Sequence, residues 1–462
     1  MSGEIILKTI EEKSTTIIDL AKKIWENPEI AYHEVKACQW TAELLKREGF
    51  EVETGYTGID TAIRAVWGNG NPVIGFLGEY DALPDLSQKV YATKEAVVEG
   101  EPGQACGHNL MAACCAGAAI ALKQEMIEKN LPGTVIFYGC SAEEVLTGKA
   151  FMARGGAFRE LDIAFSWHPA PVSSLLAGTA AGLNSAKFHF KGITAHAGGD
   201  PYNGRSALDA AELMNVGANF LREHVPDITR IHYAFTDVQS APNVVPDKAS
   251  VWYFVRALSR ESVIETYNRL IKVAKGAAMM TETEVEIEFM GGCYEMMQNR
   301  VLLDLVQETM LERPAPKWSE EEIKFAEALN KVSANYEKMR AAGLVEEGVH
   351  LQVGEPKIIF DNLFGSNDVS EVQHIAPAVV IMTSCANLGA AYHSWQITAC
   401  SGHSIGMKGM LYGAEIMALS ALKAIENPEI IVKAKAEFDK AMNGRQYVCP
   451  IPDEVPIPNP TA

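Results

Sequence analysis

Five short stretches of this sequence set metal-ligating and proton-moving side chains beside apolar runs: GEYDALP (78–84), ACGHN (105–109), SAEE (141–144), WHP (167–169) and YHSW (392–395). Cys106 and His108 stand two apart. At that spacing an extended loop projects both to one side, so a thiolate and an imidazole can converge on one ion. A helix expected to begin about there would favour the Cys106 thiolate through its N-terminal field. A small buried Cys followed by a capping His is the bland alternative. Glu143 and Glu144 follow the apolar run TVIFYG, and neighbours at a strand end point in different directions. One carboxylate can then hold a metal while the other overhangs a bound water. Paired acids are more often a solvated surface, and the apolar run before them argues otherwise. His168 also ends an apolar run, stiffened by Pro169, whereas His393 says nothing alone. Taken together, thiolate, imidazoles and carboxylates suit Zn²⁺ or Mn²⁺ and leave positions open for water. A water whose pKa a cation lowers can lose its proton to an adjacent Glu, which is hydrolysis without a Ser or Cys nucleophile.

The elements that must position these residues alternate. TAIRAVW (61–67), VIGFLG (73–78), TVIFYG (134–139) and LDIAFSW (161–167) read as strands, and 14–24, 35–48, about 109–128 and 147–154 as helices. The alternation predicts an α/β fold, a mostly parallel sheet with helices on both faces, with its chemistry in loops at the carboxyl ends of strands. From about 185 the pattern becomes strand 185–191, helix 204–223, strands 230–236 and 249–257, helix 260–279 and strand 283–290. That β-α-β-β-α-β order predicts an inserted ferredoxin-like α+β domain over 185–292. Residues 1–184 and 293–462 are left as one discontinuous domain. Helices 297–312 and 318–342, strands 357–361 and 378–382, and helices 407–425 and 428–442 complete the reading. The acidic stretch 313–356 reads as a solvated helix pair. The tail CPIPDEVPIPNPTA reads as an extended strap or a disordered segment.

A chain of 462 residues needs more than one core, and 48% hydrophobic with 21% charged residues excludes global disorder. The net charge of −19 argues against a nucleic-acid partner, which requires a basic face. Nine scattered cysteines, including the adjacent Cys114 and Cys115, make a poor disulfide framework. No segment approaches the ~20 apolar residues of a membrane span, and the N-terminus carries charges where a signal would be apolar. A cytoplasmic protein without a membrane partner is expected.

The order GEYDALP, CGHN, EE, WHP, GITAHA (192–197), PNVVPD (242–247) and a late His resembles the metallopeptidase family that contains carboxypeptidase G, aminoacylase and the plant auxin-conjugate amidohydrolases. The Cys-Gly-His form is similar to its amidohydrolase branch. Within that branch GRSALDA (204–210), GAAMMTETEVE (276–286), HSWQ (393–396) and MKGM (407–410) resemble the aminobenzoyl-glutamate utilisation group. The resemblance spans nearly the whole chain and implies a zinc-exopeptidase-like catalytic domain with the inserted unit as lid and dimer interface. It implies two divalent ions, Zn²⁺ or Mn²⁺, held by Cys106, His108, Glu144, His168 and His393. Glu143 would be general base, Asp81 would orient a ligand, and His196 would assist at the oxyanion. Asn243 and Arg256 would grip the substrate's carboxylate, and Asp368 would lie behind the ligands. Family members with the peptidase pattern carry a His where Glu79 stands, so Glu79 is not expected to ligate. The implied reaction is amide hydrolysis of an N-acyl or aminobenzoyl amino acid such as p-aminobenzoyl-glutamate, by a homodimer. The alternatives are a dipeptidase or carboxypeptidase, and a subunit active only beside a related chain.

Overall fold

The protein is described by a computed structural model covering residues 3–238, 241–352 and 354–458. Twelve strands occur among the described residues: β1 Glu51–Thr54, β2 Ile63–Asn69, β3 Val73–Glu79, β4 Gly133–Cys140, β5 Ile163–Ala170, β6 Ser174–Leu176, β7 Gly182–Lys191, β8 Arg230–Val238, β9 Lys248–Ala257, β10 Glu284–Cys293, β11 Lys357–Ile359 and β12 Ala378–Ser384. Eight form one sheet in the order β1-β2-β4-β3-β5-β12-β6-β11. Its centre is parallel, β4 to β3, β3 to β5 and β5 to β12; β1–β2, β2–β4 and β12–β6 are antiparallel, and the outermost pair β6–β11 is parallel again. The central strands are buried along nearly their whole length, which is why VIGFLG and TVIFYG read as continuous apolar runs rather than alternating ones.

Helices cover both faces. On one, Glu4–Glu26, Val35–Arg47, His108–Lys129, Arg300–Glu312 and Ser404–Glu426 build a core around Phe76, Phe137 and Phe165. The helix His108–Lys129 is long and apolar enough to cross a membrane by composition. Yet 89% of its most apolar stretch is buried, as the central helix of that core. The opposite face is closed by Gly148–Arg154, Val369–Gln373 and the chain's end.

The four remaining strands form a wholly antiparallel sheet in the order β10-β7-β9-β8. Helices Ala207–Leu221 and Arg260–Thr281 pack on it through Met214, Ala218, Leu270 and Ala274, giving it a core of its own. Both helices start where a serine hydroxyl, Ser206 or Ser259, accepts an early backbone N–H.

The sequence reading missed the short flanking strands β1 and β6, too brief to show a period. The acidic helical run is two helices, Glu320–Lys331 and Ala334–Ala341. The break falls where the Ser333 hydroxyl caps the second by accepting from Tyr336 N. The Pro-rich tail is a strap as far as 458; residues 459–462 lie outside the described ones. Arg154 donates to the carbonyls of Pro452 and Val455, Tyr447 donates to Glu371, and Ile451 is buried in the core that also holds Phe151 and Phe158. Replacing Ile451 with Ala should therefore cost about 2–5 kcal/mol. The check is chemical denaturation, read as a lower midpoint at unchanged slope.

Candidate metal centre

The parallel strands deliver the chemistry to one edge of the sheet. Glu79 is the last residue of β3, His168 lies near the end of β5, Glu143 and Glu144 follow β4, and His393 follows β12. Cys106 precedes the helix His108–Lys129, with Gly107 left-handed at φ 81 as its N-cap. A Cβ at Gly107 would lie 2.6 Å from the Pro169 ring, so the CGH turn packs directly against the WHP end of β5. His393 N donates to Ala105 O at 3.1 Å, which joins the late loop to the Cys106 loop.

These turns bring Asp81, Cys106, His108, Glu143, Glu144, His168 and His393 into one cluster. Two sets of ligand atoms close to within 4.8 Å: Cys106, His108 and His168, and Cys106, Glu144 and His393. The thiol belongs to both. Cys106 Sγ lies 3.3 Å from His168 Nε2, and Glu144 Oε2 lies 3.4 Å from His393 Nε2. The imidazoles are oriented from behind. His108 Nδ1 meets Asp81 Oδ1 at 2.8 Å and His168 Nδ1 meets Pro169 O at 2.8 Å, which leaves each Nε2 lone pair facing the cluster. Asp81 acts twice, because its Oδ2 accepts Glu144 N at 2.8 Å.

Glu143 and Glu144 sit in a 3₁₀ turn bounded by two left-handed residues, Ala142 at φ 58 and Leu146 at φ 57. Such a turn in non-glycine residues needs external support. It comes from the buried Glu34 of NPEIAYHE, whose Oε1 accepts Ala142 N at 2.7 Å, and from Asp81. Burial, reinforced by Asp81, pushes the Glu34 carboxyl up to about 8.

A third group of donors was not expected. Glu79 Oε2 lies 3.4 Å from His108 Nε2, and Glu79, His108 and Glu143 also close to within 4.8 Å. The other Glu79 oxygen accepts from Lys149 Nζ at 2.5 Å, and Lys149 reaches Asp368 Oδ1 at 2.5 Å while its backbone N donates to Asp368 Oδ2. Glu79, Lys149 and Asp368 are all fully buried. Lys149 was invisible in the sequence because TGKAF reads as an ordinary helix start; a lysine beside an apolar strand and an EE pair is the one signal that could have marked it.

Carboxylates this close resist ionisation. Burial and the neighbouring Glu79, Asp368 and Glu144 hold the Glu143 carboxyl well above the usual range, and burial pushes Glu144 up to about 7. Burial also raises the Cys106 thiol and, with His108 beside it, lowers His168 to about 4. Three buried polar atoms here, Glu79 Oε2, His108 Nε2 and Glu144 Oε1, have no hydrogen-bond partner. Orphaned buried lone pairs cost free energy unless an ion or water satisfies them. The donor set fits divalent cations.

Among the contacts of the described residues, none joins His196, Asn243 or Arg256 to this cluster. His196 is exposed; its Nδ1 accepts from Gly198 N and Gly199 N at 3.2 and 2.9 Å, so its Nε2–H points outward. Asn243, also exposed, accepts Ala197 N through its carbonyl at 3.0 Å. Arg256 is committed to Ser366 Oγ at 2.8 Å and Phe364 O at 3.2 Å. It thus ties the antiparallel sheet to the GSNDVS loop (365–370) that carries Asp368.

The chain is similar over nearly its whole length to a subunit of the p-aminobenzoyl-glutamate hydrolase of Escherichia coli K12, at 35% identity over 98% of this chain and 97% of the relative. Among solved structures it resembles an aminobenzoyl-glutamate utilization protein of Klebsiella pneumoniae, with TM-score 0.63, 17% identity and 90% and 97% of the two chains covered. It also resembles the Bacillus subtilis YXEP protein, described as a dinuclear metal binding peptidase from the M20 family, with TM-score 0.59, 19% identity and 90% and 99% covered. Residues 75–423 match peptidase family M20/M25/M40. With that match and the 35% identical relative, the chain belongs to peptidase family M20/M25/M40.

Proposed function

We propose that this chain is a metal-dependent amidohydrolase that cleaves the amide of an N-acyl or aminobenzoyl amino acid, with p-aminobenzoyl-glutamate as the substrate to test first. The observation that carries the reading is the convergence of Glu79 Oε2, His108 Nε2 and Glu144 Oε1, buried and unpartnered, beside a thiol shared by two ligand sets. The likeness to the Escherichia coli hydrolase supports the substrate.

In this reading Cys106, His108 and His168 would hold one cation and Cys106, Glu144 and His393 the other, Zn²⁺ or Mn²⁺ in either place. Bound there, the pair would supply an acidified water and positive charge for the developing oxyanion. The chain's own groups do the rest. Asp81 fixes the His108 ring and the Glu144 backbone, so the geometry is set before substrate arrives. Glu143 takes the proton of the attacking water and delivers it to the leaving amine nitrogen. Burial, and after it the neighbouring carboxylates, favours holding that proton between the two steps.

Residues 185–292 serve in this reading as the lid and dimerisation domain, with 1–184 and 293–462 as the catalytic domain. The outward Nε2–H of His196 has the donor character that an oxyanion in another subunit's site requires. Arg256 and Asn243 would bind the substrate's carboxylate, which asks Arg256 to exchange its Ser366 and Phe364 partners for that anion. A second reading, an obligate pair with a related chain, is favoured by the 35% identical relative being one subunit of its hydrolase. Assay of the purified chain alone, with and without such a partner, separates the two.

Hydrolysis of p-aminobenzoyl-glutamate by the cation-loaded protein, with metal analysis, tests the proposal directly; a chain that takes up no divalent cation, or that stays inert on acyl-amino acids when loaded and paired with a related chain, would sink it. Glu143→Gln should lower kcat roughly 10²- to 10⁴-fold while cation content stays at the wild-type level. Cation affinity should also depend on pH with a definite sign. Glu144 must be ionised to ligate, and its carboxyl sits at about 7 in the metal-free chain. Below that pH a proton competes, so affinity should fall by about tenfold per pH unit for each proton displaced. Competition titrations against a chelator across pH 5–8 measure that slope.

A further inference from the structure

The acidic stretch forms the expected helix pair, Glu320–Lys331 and Ala334–Ala341, largely exposed, yet one side of it is packed. Leu329 and Asn330 are fully buried, Tyr336 is 3% exposed, and all face the loop that runs from β12 to His393. Asn330 Oδ1 accepts from Asn387 Nδ2 at 2.7 Å and from Gly389 N at 2.9 Å, while its Nδ2 donates to His350 O at 3.0 Å. Ser333 Oγ donates to Gly389 O at 2.6 Å, Leu388 N to His350 O at 3.0 Å, and Gln396 Nε2 to Leu329 O at 2.8 Å. A Cβ at Gly389 would fall 2.5 Å from Tyr336 Cβ and 2.6 Å from Ser333 Oγ, so the loop backbone lies flat against the two acidic helices. Leu329 joins Ala386, Ala390, Ile397 and Cys400 in a small core beneath.

We infer that segment 319–350 is a buttress that presets the His393 loop, with Asn330 as its positioning residue, and so sets the affinity of the cation shared by Cys106, Glu144 and His393. His393 needs such support. It is left-handed at φ 57 with its side chain 54% exposed, and such a conformation costs on the order of 1–3 kcal/mol unless its surroundings hold it. On one side His393 N is tied to Ala105 O. The other anchor of the loop is Gly389, and the backbone groups of that residue are both bonded to Asn330 or Ser333. The other ligand set owes the segment no direct anchor: His108 opens the central helix, His168 lies in β5, and Cys106 meets the late loop only through the His393 N to Ala105 O bond. A perturbation at Asn330 therefore reaches the cation on His393 more strongly than the other.

The inference rests on the two-cation reading, so wild type is titrated first. Metal-stripped full-length protein is loaded with Co²⁺ against a competing chelator, and two uptake steps are expected. Fewer than two steps in wild type overturns the two-cation reading and this inference with it. In Asn330→Ala one step should weaken roughly 10- to 100-fold, the usual effect of losing a group that positions a ligand. The other step should weaken markedly less, and the thiolate-to-cobalt charge-transfer band of Cys106 should persist. In the metal-free variant, hydrogen exchange at the Leu388, Gly389 and His393 amides should accelerate. Ser333→Ala removes one hydroxyl, and carries the same test with a smaller shift if Asn330→Ala does not fold. Two steps of wild-type affinity with unchanged exchange, or two steps weakened alike, would overturn the inference.

Discussion

Glu79, Asp81, Glu143, Glu144 and Asp368 share a buried volume with the ammonium of Lys149. Taking an unpaired charge out of water costs several kcal/mol even after relaxation. Lys149 answers Glu79 and Asp368 together, and the rest of the cluster is left to protons or divalent ions. Much of the architecture can be read as a response. Asp81 spends both oxygens on donors, Glu34 stabilises the Ala142 turn, and Arg256 holds the loop leading to Asp368. The centre is thus a charge deficit built in advance, and the fold contributes the rigidity that keeps the carboxylates from moving apart.

That rigidity has a topological source. Four parallel strands end at one edge, and the longest helices close over them on one face. Where these elements meet, glycine allows contact without side chains, as between Gly107 and Pro169 and between Gly389 and Tyr336. The ligands come from segments nearly three hundred residues apart in sequence, yet each is one short turn from a fully buried strand or helix.

How much of this could be read in the sequence varied with the kind of signal. CGHN, EE and WHP were legible because each pairs chemistry-bearing residues with an apolar run, and the structure draws all of them to one place. Strand and helix periodicity exposed the central strands of the larger sheet and all four strands of the smaller one, since each of these is long enough to show its pattern. What escaped was pairing across distance. Glu79 was set aside on a family pattern, yet its second oxygen faces His108. Lys149 and Glu34 look ordinary locally, and only the fold reveals that each is buried against a carboxylate or a turn. The acidic stretch is the helix pair expected, but composition averages over faces and hid the packed side, where Leu329, Asn330 and Tyr336 are buried together with the paired Glu322.

The Ala142–Leu146 turn carries a further lesson about tolerance to length change. Its left-handed ends and its supports at Ala142 N and Glu144 N clamp the register, so Glu143 approaches His108 while the adjoining Glu144 reaches His393. A single-residue insertion or deletion between those clamps would swap the two carboxylates or turn both away, with the composition of the stretch unchanged. In these five positions the chemistry therefore depends on spacing as much as on residue type.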